Sequence, residues 1–416
     1  MATIKPFPAI RPAPAHAAQV AALPYDVYNR QEAIEAAKGN PYSFLHIDKP
    51  EIDLAPEVDP YSPMVYEQAR TTLDRFRREG ILLQDGQEGY YVYALTMDGR
   101  TQTGLVCCSL VDDYVNGVIK RHELTREDKE LDRIRHVDVC DANTGPIFLT
   151  YRGVDDVSEA IQSWTEKHSA VVDFTGTDGV THRVWVLDDP SIMAVLTQAI
   201  AKVPATYIAD GHHRTASAAK VALSRRESNP HHTGDEPYNY FLSVLFPHDQ
   251  LKILDYNRVV RDLNGLDTET FLNALKTTFD WIQMGKASYR PVKKGELGMY
   301  LDGNWYKLNV KEDVVLADDP VSTLDVSILQ RFVLEELLGI LDIRRDPRID
   351  FIGGIRGLEE LERRCNLDMK VAFAMYPTSV EELMDIADAG MLMPPKSTWF
   401  EPKLRSGLFI HSLNSK

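Results

Sequence analysis

The chain has 416 residues, 44% hydrophobic and 26% charged, with a formal net charge of −16. This is the composition of a globular protein of one large or two to three ordinary domains, big enough to build a core without disulfide staples. The acidic balance argues against a nucleic-acid partner, which needs a basic face, but is compatible with a local basic pocket for a small anion.

Residues 1–28 are rich in proline and alanine. Pro6, Pro8, Pro12, Pro14 and Pro24 predict extended chain and exclude a helix. Arg30 to Lys38 reads as a short helix between the N-cap candidate Asn29 and the stop Gly39. Tyr42 to Ile47 resembles a strand, and Pro63 to Glu79 is helical, with Val65, Ala69, Leu73 and Phe76 at helical spacing. Tyr90 to Thr96 and Gln102 to Leu110 alternate as a hairpin around Asp98-Gly99. Lys120-Arg121-His122-Glu123 leads into a charged helix, Arg126 to His136, that reads as a solvated, salt-bridged surface. Asn143-Thr144-Gly145-Pro146 turns into the strand Ile147 to Tyr151. A helix from Val154 to His168, a hairpin around Asp178-Gly179 and a helix from Ser191 to Ala201 follow.

Phe241 to Phe246 and Lys252 to Val260 read as strands, and helix and strand alternate from Leu266 to about Val315. The last hundred residues or so predict helices over Ile328–Leu338, Ile355–Arg364 and Val380–Ala389, with strands over Asp350–Ile352 and Val371–Met375. The fold class is α+β, expected in three regions: an N-terminal α+β region over 1–110, a core over 111–262 and a C-terminal α+β region over 263–416. Cys107, Cys108, Cys140 and Cys365 show no C-x-x-C spacing, which predicts reduced thiols and a cytoplasmic protein. The first residues lack a basic-then-apolar signal pattern, and no run approaches the ~18 apolar residues of a membrane helix, so no membrane partner is expected.

The chemistry concentrates in Tyr207-Ile208-Ala209-Asp210-Gly211-His212-His213-Arg214-Thr215-Ala216-Ser217-Ala218. A strand that turns through glycine into a helix presents unpaired backbone N–H groups at the helix start, a natural anion site. Arg214 adds a planar, permanently charged fork suited to phosphate. Asp210, at the strand end, can position a nucleophile or hold a metal. Glu123 lies at a loop-to-helix junction, where a carboxylate can act as a general base. Lys120 and Arg121 can neutralise phosphate oxygens. His122-Glu123 is no zincin signature, because Arg126 stands where H-E-x-x-H needs histidine. Lys396, Ser397 and Thr398, after Pro394-Pro395, make a stiff, donor-rich loop without a Walker pattern. Tyr25 and Asp26 can line a pocket, and Asn143 and Thr144 offer an amide and a hydroxyl, though both segments also read as ordinary turns. No nucleophile elbow and no G-x-G-x-x-G appears.

Asp210-Gly211-His212-His213-Arg214 followed by Thr-Ala-Ser-Ala resembles the D-G-H-H-R signature of the free serine kinases of the ParB/sulfiredoxin-like superfamily. Leu23-Pro24-Tyr25-Asp26-Val27, Lys120 to Glu123, Asn143 to Pro146 and Met393 to Thr398 together resemble a long bacterial family of unknown function that carries the same signature. The second resemblance covers nearly the whole chain; the kinases are shorter and match its middle. The resemblance implies a ParB/sulfiredoxin-like core with N-terminal and C-terminal α/β extensions. It implies a phosphotransferase that turns free L-serine into O-phospho-L-serine, with ATP, ADP or pyrophosphate as donor and Mg²⁺ as cofactor. Glu123 would be the general base. Asp210 would orient the serine hydroxyl or hold Mg²⁺. Gly211, His212, His213, Arg214, Lys120, Lys396, Ser397 and Thr398 would bind phosphate, and Tyr25, Asp26, Asn143 and Thr144 the amino acid. An oligomer is compatible with the sequence. A phosphoserine phosphatase using the same site, and a non-catalytic ParB-like nucleotide-binding regulator, are the rival readings.

Overall fold

A computed structural model describes residues 1–314 and 318–414. The chain divides into two compact units, residues 1–251 with 402–416, and residues 252–401. Both mix helices and sheets, as the α+β expectation requires. The expected division at 110 and 262 is a different partition. The strand ending at Leu110 pairs on either side with strands of the same sheet, and the last fifteen residues return to the first unit.

In the first unit the labelled strands are β1 (Ile4–Lys5), β2 (Tyr90–Met97), β3 (Arg100–Leu110), β4 (Ile119–Lys120), β5 (Ile147–Tyr151), β6 (Val172–Thr175), β7 (Thr181–Leu187), β8 (Thr206–Asp210) and β9 (Tyr240–Pro247). They form one nine-stranded sheet in the order β4-β8-β5-β9-β3-β2-β7-β6, with β1 on β3. The hairpin β2–β3 turns through Asp98 (φ 52°) and Gly99 (φ 76°), the left-handed pair that matches strand twist. Most pairs are antiparallel, but β4 runs parallel to β8, and β5 parallel to β9. Strands buried on both faces carry long apolar runs, as in Tyr90–Leu95 and in Phe241–Phe246, interrupted by the buried Ser243.

The helices are α1 (Arg30–Ala37), α2 (Pro63–Arg78), α3 (Glu127–Cys140), α4 (Asp155–Lys167), α5 (Pro190–Ile200) and α6 (His212–Ser228). Asn29 and Glu32 close a capping box on α1, satisfying backbone donors that the helix start leaves free. α6 buries Thr215, Ala216, Ser217, Ala218 and Ala219. These small side chains let α3 approach closely, and Ser217 Oγ donates to the Glu130 carbonyl at 3.1 Å. A second apolar cluster joins Phe44, Leu45 and Ile47 to Leu73 and Phe76 of α2.

Three local expectations change. Tyr42 to Ile47 is not a strand: Leu45–Asp48 forms a helical turn, because an apolar run of this length suits either structure and packing on α2 decides. The proline-rich start also holds a short helix, Ala17–Val20, which lies between Pro14 and Pro24 and so loses no backbone donor to either. The charged helix is not solvated all round, since Glu130, Asp132, Arg133 and His136 are buried.

The second unit contains β10 (Tyr256–Val260), α7 (Thr268–Leu275), β11 (Phe279–Gly285), β12 (Glu296–Leu301), β13 (Asn304–Val310), β14 (Ile349–Gly353), α8 (Glu359–Leu367), β15 (Val371–Ala374) and α9 (Val380–Asp388). Its six-stranded sheet is antiparallel throughout, in the order β11-β13-β12-β15-β10-β14. The expected end of the helix–strand alternation at Val315 lies outside the described residues. No helix among the described residues is long and apolar enough to cross a membrane.

Two predictions test this packing. A Cβ on Gly104, in β3, would stand 2.7 Å from Val244 Cγ1 and 2.8 Å from the Phe246 ring. Gly104→Ala is therefore expected to destabilise the first unit by about 1–3 kcal/mol, read as a lower denaturant midpoint; an unchanged midpoint would refute the close packing. The second concerns His411, which is buried and placed 3.0 Å from the Pro237 carbonyl. Burial lowers its imidazole to about 4. The unfolded chain takes up this proton near the ordinary value of about 6.5, so stability is complete above that pH. It falls by up to ~1.4 kcal/mol per pH unit as pH drops towards the folded value. His411→Gln keeps an N–H donor for Pro237 and should flatten the profile between pH 7 and 5. Equal pH dependence in the two proteins would exclude His411 as its source.

Candidate active site at the Asp210 turn

The site is built where β8 ends. Asp210 is its last residue, Gly211 takes φ +96°, and α6 begins at His212. A Cβ on Gly211 would meet the Arg214 guanidinium at 3.1–3.3 Å, so glycine is needed for both backbone and space. The turn is closed by Thr215, whose Oγ1 donates to the Gly211 carbonyl at 3.0 Å.

β4 brings in the second stretch. In the parallel register Ile119 lies opposite Thr206 and Lys120 opposite Tyr207. Both chains leave the pair in the same direction, so Glu123 and Asp210 each follow the last paired residue by three. His122 and His212 meet as a result, with ring centroids 4.5 Å apart and planes at 89°. Both are buried, at 2% and 8% exposure. Neither nitrogen of His122 has a hydrogen-bond partner, nor does His212 Nε2. A Glu123 carboxylate oxygen and one nitrogen from each imidazole all lie within 4.8 Å of one another.

Asp210 faces cations. Lys403 Nζ donates to its Oδ2 at 3.1 Å, and Arg214 Nη2 stands 4.0 Å from its Oδ1. Burial alone would raise this carboxyl, but the Lys403 and Arg214 charges outweigh it and hold it well below the usual range. Asp210 is thus ionised, with two cations beside it. Arg214 is anchored by Nη1 on the Pro146 carbonyl, while its Nε is buried without a partner. Burial lowers His212 to about 4 and pushes His122 well below its ordinary value. His213 is also lowered by burial. Its Nε2 accepts the Arg126 backbone N–H at 3.0 Å, which places the neutral ring's proton on Nδ1.

Tyr25, Asn143, Thr144 and Arg214 line one small cavity together with Asp48, Arg133 and His136. Arg133 lies 4.1 Å over the Tyr25 ring and pairs with Asp132 at 2.7 Å. Thr144 Oγ1 donates to Asp48 at 2.8 Å, and Asn143 Oδ1 accepts the Leu242 N–H at 3.2 Å. Asp26 is exposed, and its charge raises the Arg214 and His213 pKa values against burial. Lys120 lies on β4. Lys396, Ser397 and Thr398 belong to the other unit, where Ser397 Oγ donates to the Pro394 carbonyl at 2.6 Å and Lys396 Nζ sits 5.7 Å from the Tyr256 ring centre.

Lys403, Asp48, Arg133 and His136 were not expected at the site. No local signal marks Lys403. Arg133 and His136 are three apart on α3, a spacing that could have marked one inward face.

The sequence matches, over residues 4–327, the family described as "Protein of unknown function (DUF1015)". The chain belongs to this family. No curated protein matches it. Among solved structures it is similar to a mutant free serine kinase in complex with AMP, at 13% identity and TM-score 0.38, covering 75% of this chain and 91% of that one. It is also similar to C-terminally truncated SbnI from Staphylococcus aureus, at 12% identity and TM-score 0.40, covering 74% and 87%. A conserved hypothetical protein from Pyrococcus furiosus is similar at 14% identity and TM-score 0.34, covering 74% and 94%.

For this DUF1015 member, Gly211→Ala is expected to cost about 1–2 kcal/mol from the left-handed backbone alone. The melting temperature of the first unit should fall by a few degrees. A melt equal to wild type would contradict the φ of +96° at this turn.

Proposed function

We propose that this protein transfers a phosphoryl group to the hydroxyl of free L-serine, giving O-phospho-L-serine, with ATP, ADP or pyrophosphate as donor. The observation that carries the reading is the parallel pairing of β4 with β8, which sets Glu123 beside the first turn of α6. Phosphoryl transfer asks for positioned anion donors and a base more than for covalent chemistry. The α6 N-terminus and the unpartnered Arg214 Nε supply donors. Glu123 supplies the base.

In the reaction the serine Oγ forms a bond to phosphorus as the bond from phosphorus to the donor's bridging oxygen breaks. The hydroxyl proton passes to Glu123, and the leaving phosphate departs with the bond's electron pair. Asp210, ionised and held by Lys403 and Arg214, positions these cations instead of taking the proton. Mg²⁺ in this reaction class would neutralise phosphate charge, and the ionised Asp210 carboxylate at the strand end would hold it. Tyr25, Asn143 and Thr144 border the cavity that also receives Arg214, and we assign them to the amino acid. Four free cysteines, three of them buried, fit a reducing cytoplasm.

Phosphorus NMR tests the reading. Purified protein with Mg²⁺ and L-serine is given ATP, ADP or pyrophosphate in separate tubes, with O-phosphoserine alone in another. Phosphoserine is expected from one donor, and Glu123→Gln should slow its formation by about 10²–10⁴-fold. Phosphate released from phosphoserine alone would mean a phosphatase, and silence in every tube would refute the assignment.

A further inference from the structure

The meeting of His122 and His212 is chemically conspicuous in its own right. Buried imidazole nitrogens are ordinarily hydrogen-bonded, yet three of the four here have no partner. One nitrogen of each ring converges with a Glu123 carboxylate oxygen, the three atoms lying within 4.8 Å of one another.

We propose that His122, Glu123 and His212 bind one divalent transition-metal cation of the Zn²⁺ class. Imidazole and carboxylate together suit Zn²⁺, Mn²⁺, Fe²⁺ or Co²⁺, whereas Mg²⁺ favours all-oxygen sites. Metal–nitrogen bonds of about 2.0–2.1 Å require the donor atoms to close in from their present spacing, which side-chain rotation can supply at the half-exposed Glu123. Three protein donors leave at least one coordination position open, as in catalytic rather than structural sites. This position adjoins the α6 N-terminus, where an anion would be favoured. The local backbone explains why the donors converge: His122 and Glu123 are consecutive on the segment leaving β4, and His212 opens the helix leaving β8. The inference goes beyond the phosphotransfer reading and does not need it, since metal binding is measured with no serine and no donor present.

The test uses full-length protein stripped by a chelator and titrated calorimetrically with Zn²⁺ and, separately, Mg²⁺. One Zn²⁺ per chain is expected, bound much more tightly than Mg²⁺. Because losing even an outer partner of a metal ligand costs ~10–100-fold in affinity, His122→Gln and His212→Gln should each lose at least that much. His231→Gln, in an exposed loop, should match wild type. Co²⁺ in place of Zn²⁺ should give a one-to-one visible absorption band that disappears in both variants. Where a histidine variant fails to fold, Glu123→Gln carries the same comparison. Equal affinity for Mg²⁺ and Zn²⁺, no one-to-one Co²⁺ band in wild type, or Zn²⁺ binding unchanged in folded variants would each overturn the site. Glu123 is the base in the phosphotransfer reading and a ligand here, and one carboxylate cannot serve both at once; Zn²⁺ is therefore titrated with no serine or donor present and phosphoserine formation is assayed in Mg²⁺ alone, so each reading has its own failing result.

Discussion

Everything at the Asp210 turn depends on one short parallel pairing, Ile119–Lys120 against Thr206–Tyr207. Two residues of strand offer little ladder energy by themselves. They hold because β8 is fixed on its other side by β5, and because the sheet beneath is continuous through β9, β3 and β2. Parallel pairing also sets direction: both chains emerge from the same end, so residues nearly ninety positions apart in sequence arrive side by side. An antiparallel β4 would have sent His122 and Glu123 to the opposite end of β8.

The electrostatics follow from that convergence. The turn concentrates Asp210, Arg214, Lys403 and two histidines in a largely buried volume. Burial would neutralise an isolated carboxylate, yet Asp210 stays ionised because two cations surround it. The same burial works on the histidines in the other direction and keeps them neutral. The turn therefore holds fixed charge in its Asp–Lys–Arg group and uncharged rings in its His pair.

Local chemistry made much of this legible. Asp98-Gly99, the N-cap Asn29 and the apolar spacing of Val65, Ala69, Leu73 and Phe76 each specify an element without tertiary help, and each element is present. The Asp210 to Arg214 run likewise specifies strand, turn and helix. What could not be read is long-range. Ile119–Lys120 is too short to show a strand period. Lys403 reaches Asp210 from 193 positions away. α3 looked solvated because its buried face is polar: Glu130, Asp132, Arg133 and His136 satisfy one another and their neighbours, so no apolar stripe betrays the packed side. The Lys396 to Thr398 loop is stiffened by its prolines and by Ser397 Oγ donating to the Pro394 carbonyl, a closure its composition does not distinguish from an open, donor-rich loop.

A fold that satisfies its polar groups nearly everywhere makes its exceptions informative. Among the described residues, nine buried side-chain nitrogen or oxygen atoms have no partner, and four of them belong to His122, His212 and Arg214 at this single turn. Leaving a buried polar atom unmatched costs roughly 1–3 kcal/mol, so such groups are ordinarily met by a neighbour, by water or by a ligand. Packing does not require polar atoms at this turn, because apolar side chains of similar volume at 122 and 212 would fill the same space without the penalty. The demand has a direction as well: each neutral imidazole carries one N–H donor and one acceptor nitrogen, while the Arg214 Nε–H wants an acceptor. A ligand that met both demands would stabilise the first unit once its concentration exceeded its dissociation constant. Four of the nine unmatched atoms fall at one turn, and that clustering is what separates this turn from the scattered remainder.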